Sequence, residues 1–177
     1  MNNTKLICIL GAESTGKTTL AQALAAHFDC PWVPEYLRAF CEVRRRTPRQ
    51  HEQALILETQ VIHEMSATLT AQRLSRPYVF CDTAPLLTAI YSEFVFDDTS
   101  LYTRARELHS RYALTLLLAP DINWVADGMQ RDGAHVREPI THLIERELAE
   151  INATVVRISG QGDARVQAAT RAIGATQ

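Results

Sequence analysis

The sequence predicts an α/β protein: a five-stranded parallel sheet with helices on both faces. Three observations carry this expectation. Five short apolar runs recur along the chain, and each is followed by a segment with helical periodicity. The runs are nearly continuous in apolar residues, as strands covered on both faces require. The first of them, Leu6-Ile7-Cys8-Ile9-Leu10, leads directly into a glycine-bounded loop and then a helix. Right-handed crossovers gather the loops at the strands' carboxyl ends around one crevice, where ligands bind in open α/β sheets.

The 177 residues suit a single domain with a sizeable core, spanning 1–177. Hydrophobic content of 46% and charged content of 21% are ordinary for a soluble globular protein. The formal charge of -2 argues against a broad nucleic-acid surface. Arg44-Arg45-Arg46 reads as a solvated helix end. No apolar run approaches membrane-spanning length, and the first run reads as a strand rather than a signal segment. Cys8, Cys30, Cys41 and Cys81 form no C-x-x-C pair, which suits free thiols in a reducing cytoplasm. The expectation is a cytoplasmic protein with a small-molecule partner and neither nucleic acid nor membrane. Oligomeric state is left open.

Strand one is expected over Thr4–Leu10. A helix from Lys17 to Phe28 follows, with Leu20, Ala21, Leu24, Ala25 and Phe28 on one face. Asp29-Cys30-Pro31 breaks it, Trp32-Val33 is a short strand, and Glu35-Tyr36-Leu37-Arg38 opens a helix. Thr47-Pro48-Arg49-Gln50 reads as a helix start with a Thr47/Gln50 capping box. The helix runs to about Leu74, and its stripe of Leu57, Val61, Met65 and Leu69, with Ala54 and Ile62 beside it, is expected to pack in the core. Tyr78–Cys81 is the third strand, with Asp82 or Thr83 capping a helix that has Pro85 in its first turn. A loop is expected over Phe94–Ser100 and a helix over Leu101–Ser110. Ala113–Leu118 is the fourth, central strand. Pro120–Arg137 is irregular and charged, a lid-like insertion. A helix starts at Glu138-Pro139, Thr154–Ile158 is strand five, and a last helix buries Val166, Ala169 and Ile173. His109, His135 and His142 have no ligand spacing and read as solvated.

The loop after strand one is Gly11-Ala12-Glu13-Ser14-Thr15-Gly16-Lys17-Thr18, which fits the phosphate-binding P-loop pattern G-x-x-x-x-G-K-[ST]. Gly11 permits a tight turn, and Gly16 permits close approach of backbone to phosphate. Lys17 supplies a mobile cation for the outer phosphates, and the Thr18 hydroxyl is placed to ligate Mg²⁺. The following helix adds its positive end. Gly11, Glu13, Ser14, Thr15, Gly16, Lys17, Thr18 and Thr19 form the expected ATP-binding set here.

A P-loop alone does not name a reaction. A GTPase needs an N/T-K-x-D guanine reader, and neither Leu118-Ala119-Pro120-Asp121 nor Ile158-Ser159-Gly160 fits. A motor-type ATPase usually carries an acid pair after strand three, where this chain has Asp82-Thr83. A small-molecule kinase fits better, since it needs a phosphate cradle, a Mg²⁺-linked acid, a base and mobile arginines. Asp82 is the expected Mg²⁺ partner with Thr18. Either Glu35 or Asp82 acts on the acceptor hydroxyl. Arg38, one turn after Glu35, holds Glu35 or substrate. Arg131 and Arg137 lie on the insertion and reach the phosphates when it closes. Tyr36 and Trp124 are candidate stacking residues.

Several stretches converge on one family. The P-loop, Glu35-Tyr36-Leu37-Arg38, Asp82-Thr83 with Thr88, and Trp124-Val125-Ala126-Asp127-Gly128 with Arg131 resemble the ribosylnicotinamide kinase domain of NadR-type proteins, from about Lys5 to Arg165. The resemblance implies a P-loop kinase-like three-layer sandwich. It implies Mg²⁺- and ATP-dependent phosphorylation of the 5′-hydroxyl of nicotinamide riboside, giving nicotinamide mononucleotide for NAD synthesis. Lys17, Glu35, Asp82 and Arg131 are then the expected catalytic residues. Glu35, Tyr36, Arg38, Asp82, Trp124 and Asp127 are the expected acceptor contacts. Ala84 stands where family members often carry a second acid. A kinase for another nucleoside or vitamin alcohol, and a non-catalytic ATP-binding sensor, are the alternatives. A repressor role is not carried over.

Overall fold

Alternation along the strands decides which helices cover which face. The computed structural model describes residues 4–125 and 133–176. Its strands are β1 (Lys5–Leu10), β2 (Trp32–Val33), β3 (Tyr78–Asp82), β4 (Tyr112–Leu118) and β5 (Val155–Ile158). All pairings are parallel, in the order β2-β3-β1-β4-β5. The P-loop strand is therefore central. Successive side chains point to opposite faces. Ile7 and Ile9 join Phe80, Leu114 and Leu116 beneath α1 (Lys17–Phe28) and α7 (Gly162–Gly174). Cys8 and Leu10 join Val79, Cys81 and Leu117 on the other face. That face is covered by α3 (Gln53–Arg73), α4 (Pro85–Phe96), α5 (Tyr102–His109) and α6 (Arg137–Glu150). The remaining helix, α2 (Tyr36–Arg44), packs Phe40 and Cys41 on Ile56 of α3. The result is the expected α/β sandwich with a five-stranded parallel sheet.

Four local expectations are corrected. The start of the long helix is a 3-10 turn, Gln50–Glu52, in which Glu52 Oε2 accepts from the Arg49 amide at 2.8 Å; Thr47 and Gln50 make no capping box. Arg46 grips the same carboxylate, and with the Arg49 amide it pulls the pKa of Glu52 down to about 2. Ala84, not Asp82 or Thr83, is the N-cap of α4, and no side chain caps it. That helix runs on to Phe96, through part of the expected loop. Finally, of the stripe on α3 only Leu57 and Val61 are buried; Ile62, Met65 and Leu69 are exposed. The inward face instead carries Gln53, Ile56, Gln60, Glu64 and Ala71.

The buried carboxylate of that inward face is partnered. Glu64 accepts from Tyr112 Oη and Arg111, each at 2.7 Å, pinning α3 to the end of α5 and the start of β4. Burial still raises its pKa against those partners. A second tie joins α4, α5 and α6. Glu93 accepts from Tyr102 Oη and Arg146, and Glu147 accepts from Arg106 and Arg146. His109 is also inside rather than solvated. It is 3% exposed, with Nε2 2.9 Å from Thr115 Oγ1, and burial and Arg111 lower its pKa to about 4. Its ring meets Thr115 and Tyr112 of β4, a contact that spacing alone does not reveal. His135 and His142 are exposed as expected, and all four cysteines are free and buried.

Candidate functional site

The site is built where β1 and β3 end side by side. Their register sets Ile9 against Asp82, so Asp82 stands next to the root of the P-loop. Each loop glycine is required by its surroundings. A Cβ at Gly11 would lie 2.8 Å from Thr15 Oγ1 and 3.1 Å from the Leu118 carbonyl, so Gly11 is required for space. Gly16 has φ of 82° and is the left-handed N-cap of α1, so it is required for conformation. Thr15 is fully buried and closes the turn by donating to the Ala12 carbonyl at 2.8 Å. Ser14, Gly16 and the helix start then present backbone N–H groups at a helix N-terminus, an anion-binding arrangement.

Lys17 lies across this loop. Its ammonium donates to the Gly11 and Ala12 carbonyls at 3.1 and 2.9 Å. These are neutral acceptors, which a phosphate anion outcompetes because hydrogen bonds to a charged acceptor are stronger. The Thr18 hydroxyl donates to Asp82 Oδ2 at 2.6 Å, and Asp82 is 2% exposed. A hydroxyl and a carboxylate at this separation form a hard oxygen pair suited to Mg²⁺, which is bound by few protein groups plus substrate phosphates. Thr19 is exposed on the outer side of α1.

The back of the loop is braced by a residue that the sequence reading passed over. Arg165, at 5% exposure, donates from Nε to the Gly160 carbonyl at 2.7 Å and from Nη2 to the Ala119 carbonyl at 3.2 Å. It also bonds the Thr15 carbonyl and the Asp121 carboxylate. Asp121 Oδ2 accepts from the Gly160 amide at 2.7 Å. The loops after β1, β4 and β5 thus share one guanidinium. Burial lowers the Arg165 pKa, the nearby Asp121 charge raises it, and the Arg137 charge adds to the lowering. Arg137 therefore stands close by, and its Nη1 donates to the Ile122 carbonyl at 3.0 Å. The signal for Arg165 was its place after a glycine-containing strand end; nothing in the spacing marked it as buried.

Beside the phosphate loop lies a cavity of about 210 Å³, lined by Lys17 and Glu13 of the loop and by Glu35, Gln60, Thr83 and Tyr91. Cys41, Gln53, Ile56, Leu87, Thr88 and Phe96 complete much of the rest. Glu13, expected on the ATP side, sends its side chain here instead, where Tyr91 Oη donates to Oε1 at 3.4 Å. Glu35 ends the β2 loop as the N-cap of α2, and it lines the cavity as expected for an acceptor-side carboxylate. Thr83 has φ of 80°, a costly conformation for a β-branched residue. It is 4% exposed, and its Oγ1 has no hydrogen-bond partner among the described residues. Ala84 is fully buried in the apolar cluster under α4, so its methyl does not face the cavity.

Other expected residues are placed differently. Asp82 meets Thr18 but does not line the cavity. Tyr36 packs edge-on against His63 with ring centroids 5.4 Å apart, and its amide donates to Gln60 Oε1; neither Tyr36 nor Arg38 lines the cavity. Trp124 is half-buried away from it, and the adjoining Val125 amide donates to Ser14 Oγ at 3.0 Å, which ties the insertion to the P-loop. Arg131 and Asp127 lie outside the described residues. No helix among the described residues is long and apolar enough to cross a membrane.

Comparison with known proteins agrees with this architecture. No curated protein matches the sequence. Among solved structures, the fold is similar to that of a NadR protein in complex with NR, with a TM-score of 0.83 at 24% identity over 98% of this chain and 51% of that one. The chain thus spans about half the length of the NadR protein that it resembles. A thymidylate kinase from Ehrlichia chaffeensis superposes with a TM-score of 0.66 at 12% identity, covering 99% of this chain and 100% of that one. A deoxyadenosine kinase from M. mycoides gives 0.65 at 11%, covering 96% and 99%. These likenesses show the P-loop kinase-like fold. The family model described as AAA domain matches residues 6–165, nearly the whole chain, and the protein belongs to that AAA domain family.

Proposed function

We propose that this chain is an ATP- and Mg²⁺-dependent kinase for a nucleoside-sized alcohol, nicotinamide riboside first among them. One observation carries the reading: the cavity beside the P-loop has Lys17 and Glu35 together in its wall. A phosphate cradle and an acceptor-sized chamber sharing one lysine are what in-line phosphoryl transfer requires. At about 210 Å³ the chamber is below the usual range for drug-sized ligands, which suits a small acceptor and not a second triphosphate. Two carboxylates, Glu13 and Glu35, line it, and a cationic pyridinium ring is favoured by nearby negative charge. The structural likeness to a NadR protein in complex with NR, taken as nicotinamide riboside, supports the same acceptor.

In this reading Lys17 and the loop amides bind the triphosphate and hold its end toward the chamber. Thr18 and Asp82 would hold Mg²⁺, which would supply charge neutralisation for the phosphates. Glu35 accepts the proton of the acceptor hydroxyl, since Asp82 is committed to Thr18 outside the chamber. Arg137, and Arg131 from the insertion, stabilise charge on the migrating phosphoryl group. The site's seclusion in the cytoplasm, where ATP is abundant, belongs to the same proposal.

The test is incubation of the protein with Mg-ATP and a panel of nucleosides and vitamin alcohols, read by mass for phosphorylated product. Nicotinamide mononucleotide is the expected product. Phosphorylation of a different alcohol would reassign the acceptor, and ATP binding with no transfer to any alcohol would leave a sensor module instead.

A further inference from the structure

Helix α3 is apolar on two opposite sides. One side is the core face described above. On the other, Leu55, Ile62, Met65 and Leu69 are 53%, 62%, 57% and 60% exposed. Scattered surface apolar residues need no explanation, but these are aligned. Leu55, Ile62 and Leu69 recur every seventh residue, and Met65 fills the intermediate position, the spacing of a helix–helix seam. No element among the described residues covers this face.

We infer that the seam is where two copies of this chain pair, α3 against α3, antiparallel about a two-fold axis between Met65 and Ser66. The charges select this occupant and register. At the amino-terminal end of the seam, Glu58 and Glu107 share one cation, Arg104, leaving a carboxylate in excess. At the carboxyl-terminal end, Arg73 is exposed and has no ion-pair partner among the described residues. The two-fold sets Ile62 against Leu69 of the second copy, and Glu58 against Arg73 of the second copy, twice over. Isologous pairing of this kind uses one patch against itself. About that axis the two helices overlap from Glu58 to Arg73, about 24 Å at the helical rise. Ile62, Met65 and Leu69 of each copy lie along the overlap, which puts the contact at the small end for a specific interface. The dimer is therefore of modest, micromolar stability, and it leaves the cavity beside the P-loop open.

Sedimentation equilibrium of the full chain tests this independently of any catalytic reading. The wild type is expected to be a monomer–dimer equilibrium. Ile62→Glu with Leu69→Glu raises the dissociation constant by at least about 100-fold, with an unchanged melting temperature of the monomer. Arg73→Glu weakens the dimer, and adding Glu58→Arg restores it. Because the native cysteines are buried, Ser66→Cys gives a second readout: mild oxidant traps a covalent dimer across the axis. A wild type that stays monomeric throughout the micromolar range overturns the inference. So does a dimer that ignores the double substitution, or the absence of a Ser66→Cys cross-link.

Discussion

Arg165→Met removes the guanidinium that three strand-end loops share, while keeping most of the side chain's length and apolar stem. Four acceptors lose their partner: the Thr15, Gly160 and Ala119 carbonyls and the Asp121 carboxylate. Each hydrogen bond to a charged group contributes about 1.5–3 kcal/mol, but contributions that share one side chain do not add. Asp121 is 34% exposed, so water replaces part of what it loses. Breaking such a buried set from one side costs about 3–5 kcal/mol. For a chain of this length that lowers the melting temperature by on the order of 10 °C. The assay is a thermal melt with and without Mg-ATP. The ligand-induced rise in melting temperature should also shrink, because the Thr15 carbonyl is held by Arg165 behind the phosphate loop. Arg165→Lys restores the charge but not the fork, and is expected to recover less than half of the loss. A drop under about 2 °C for Arg165→Met would refute the idea that this residue braces the loop.

Other expected outcomes follow from the same geometry. Asp82→Asn keeps the contact with Thr18 but loses the charge, so half-maximal activity moves to higher Mg²⁺ while ATP affinity changes little; an unchanged Mg²⁺ titration contradicts the assignment. Thr83→Gly relieves a left-handed β-branched residue and should stabilise the fold by about 1 kcal/mol while raising the acceptor KM, measured by melt and kinetics together. His109 is held neutral, with its folded pKa near 4 against an ordinary 6.5. The unfolded chain binds the extra proton first, so stability is full above about pH 6.5 and falls toward pH 4, by about 3 kcal/mol. His109→Asn should flatten that part of the stability–pH curve. Lys17→Ala should leave the melt unchanged without nucleotide and abolish turnover.

Much of the fold was legible because strand burial and helix periodicity are local signals. The helix Lys17–Phe28 and the strand Trp32-Val33 have the expected ends, and the parallel topology follows from strand–helix alternation. The long helix misled because apolar residues line two sides of it. Periodicity finds a stripe but does not say which stripe meets the sheet, and Glu64 sits inward only because Tyr112 and Arg111 come to it from another element. The site divides in the same way. The P-loop and Asp82 are readable because motif and strand end fix them. Glu35 was readable from its strand-end position. Arg165 and Thr83 were not: the brace depends on three loops meeting, and the left-handed backbone at Thr83 has no sequence signature in a β-branched residue. The crowding at Gly11 likewise needed the neighbouring Leu118 carbonyl to be seen.

The most direct measurement compares nicotinamide riboside with its 5′-deoxy analogue, using ATP labelled at the terminal phosphate. Label is expected to pass to nicotinamide riboside in the wild type, and to fall to background with Glu35→Gln or Lys17→Ala. The 5′-deoxy compound is expected to compete for the cavity without accepting label. Label transfer that survives Lys17→Ala, or nicotinamide riboside that neither accepts label nor competes with any acceptor, would contradict the proposed function.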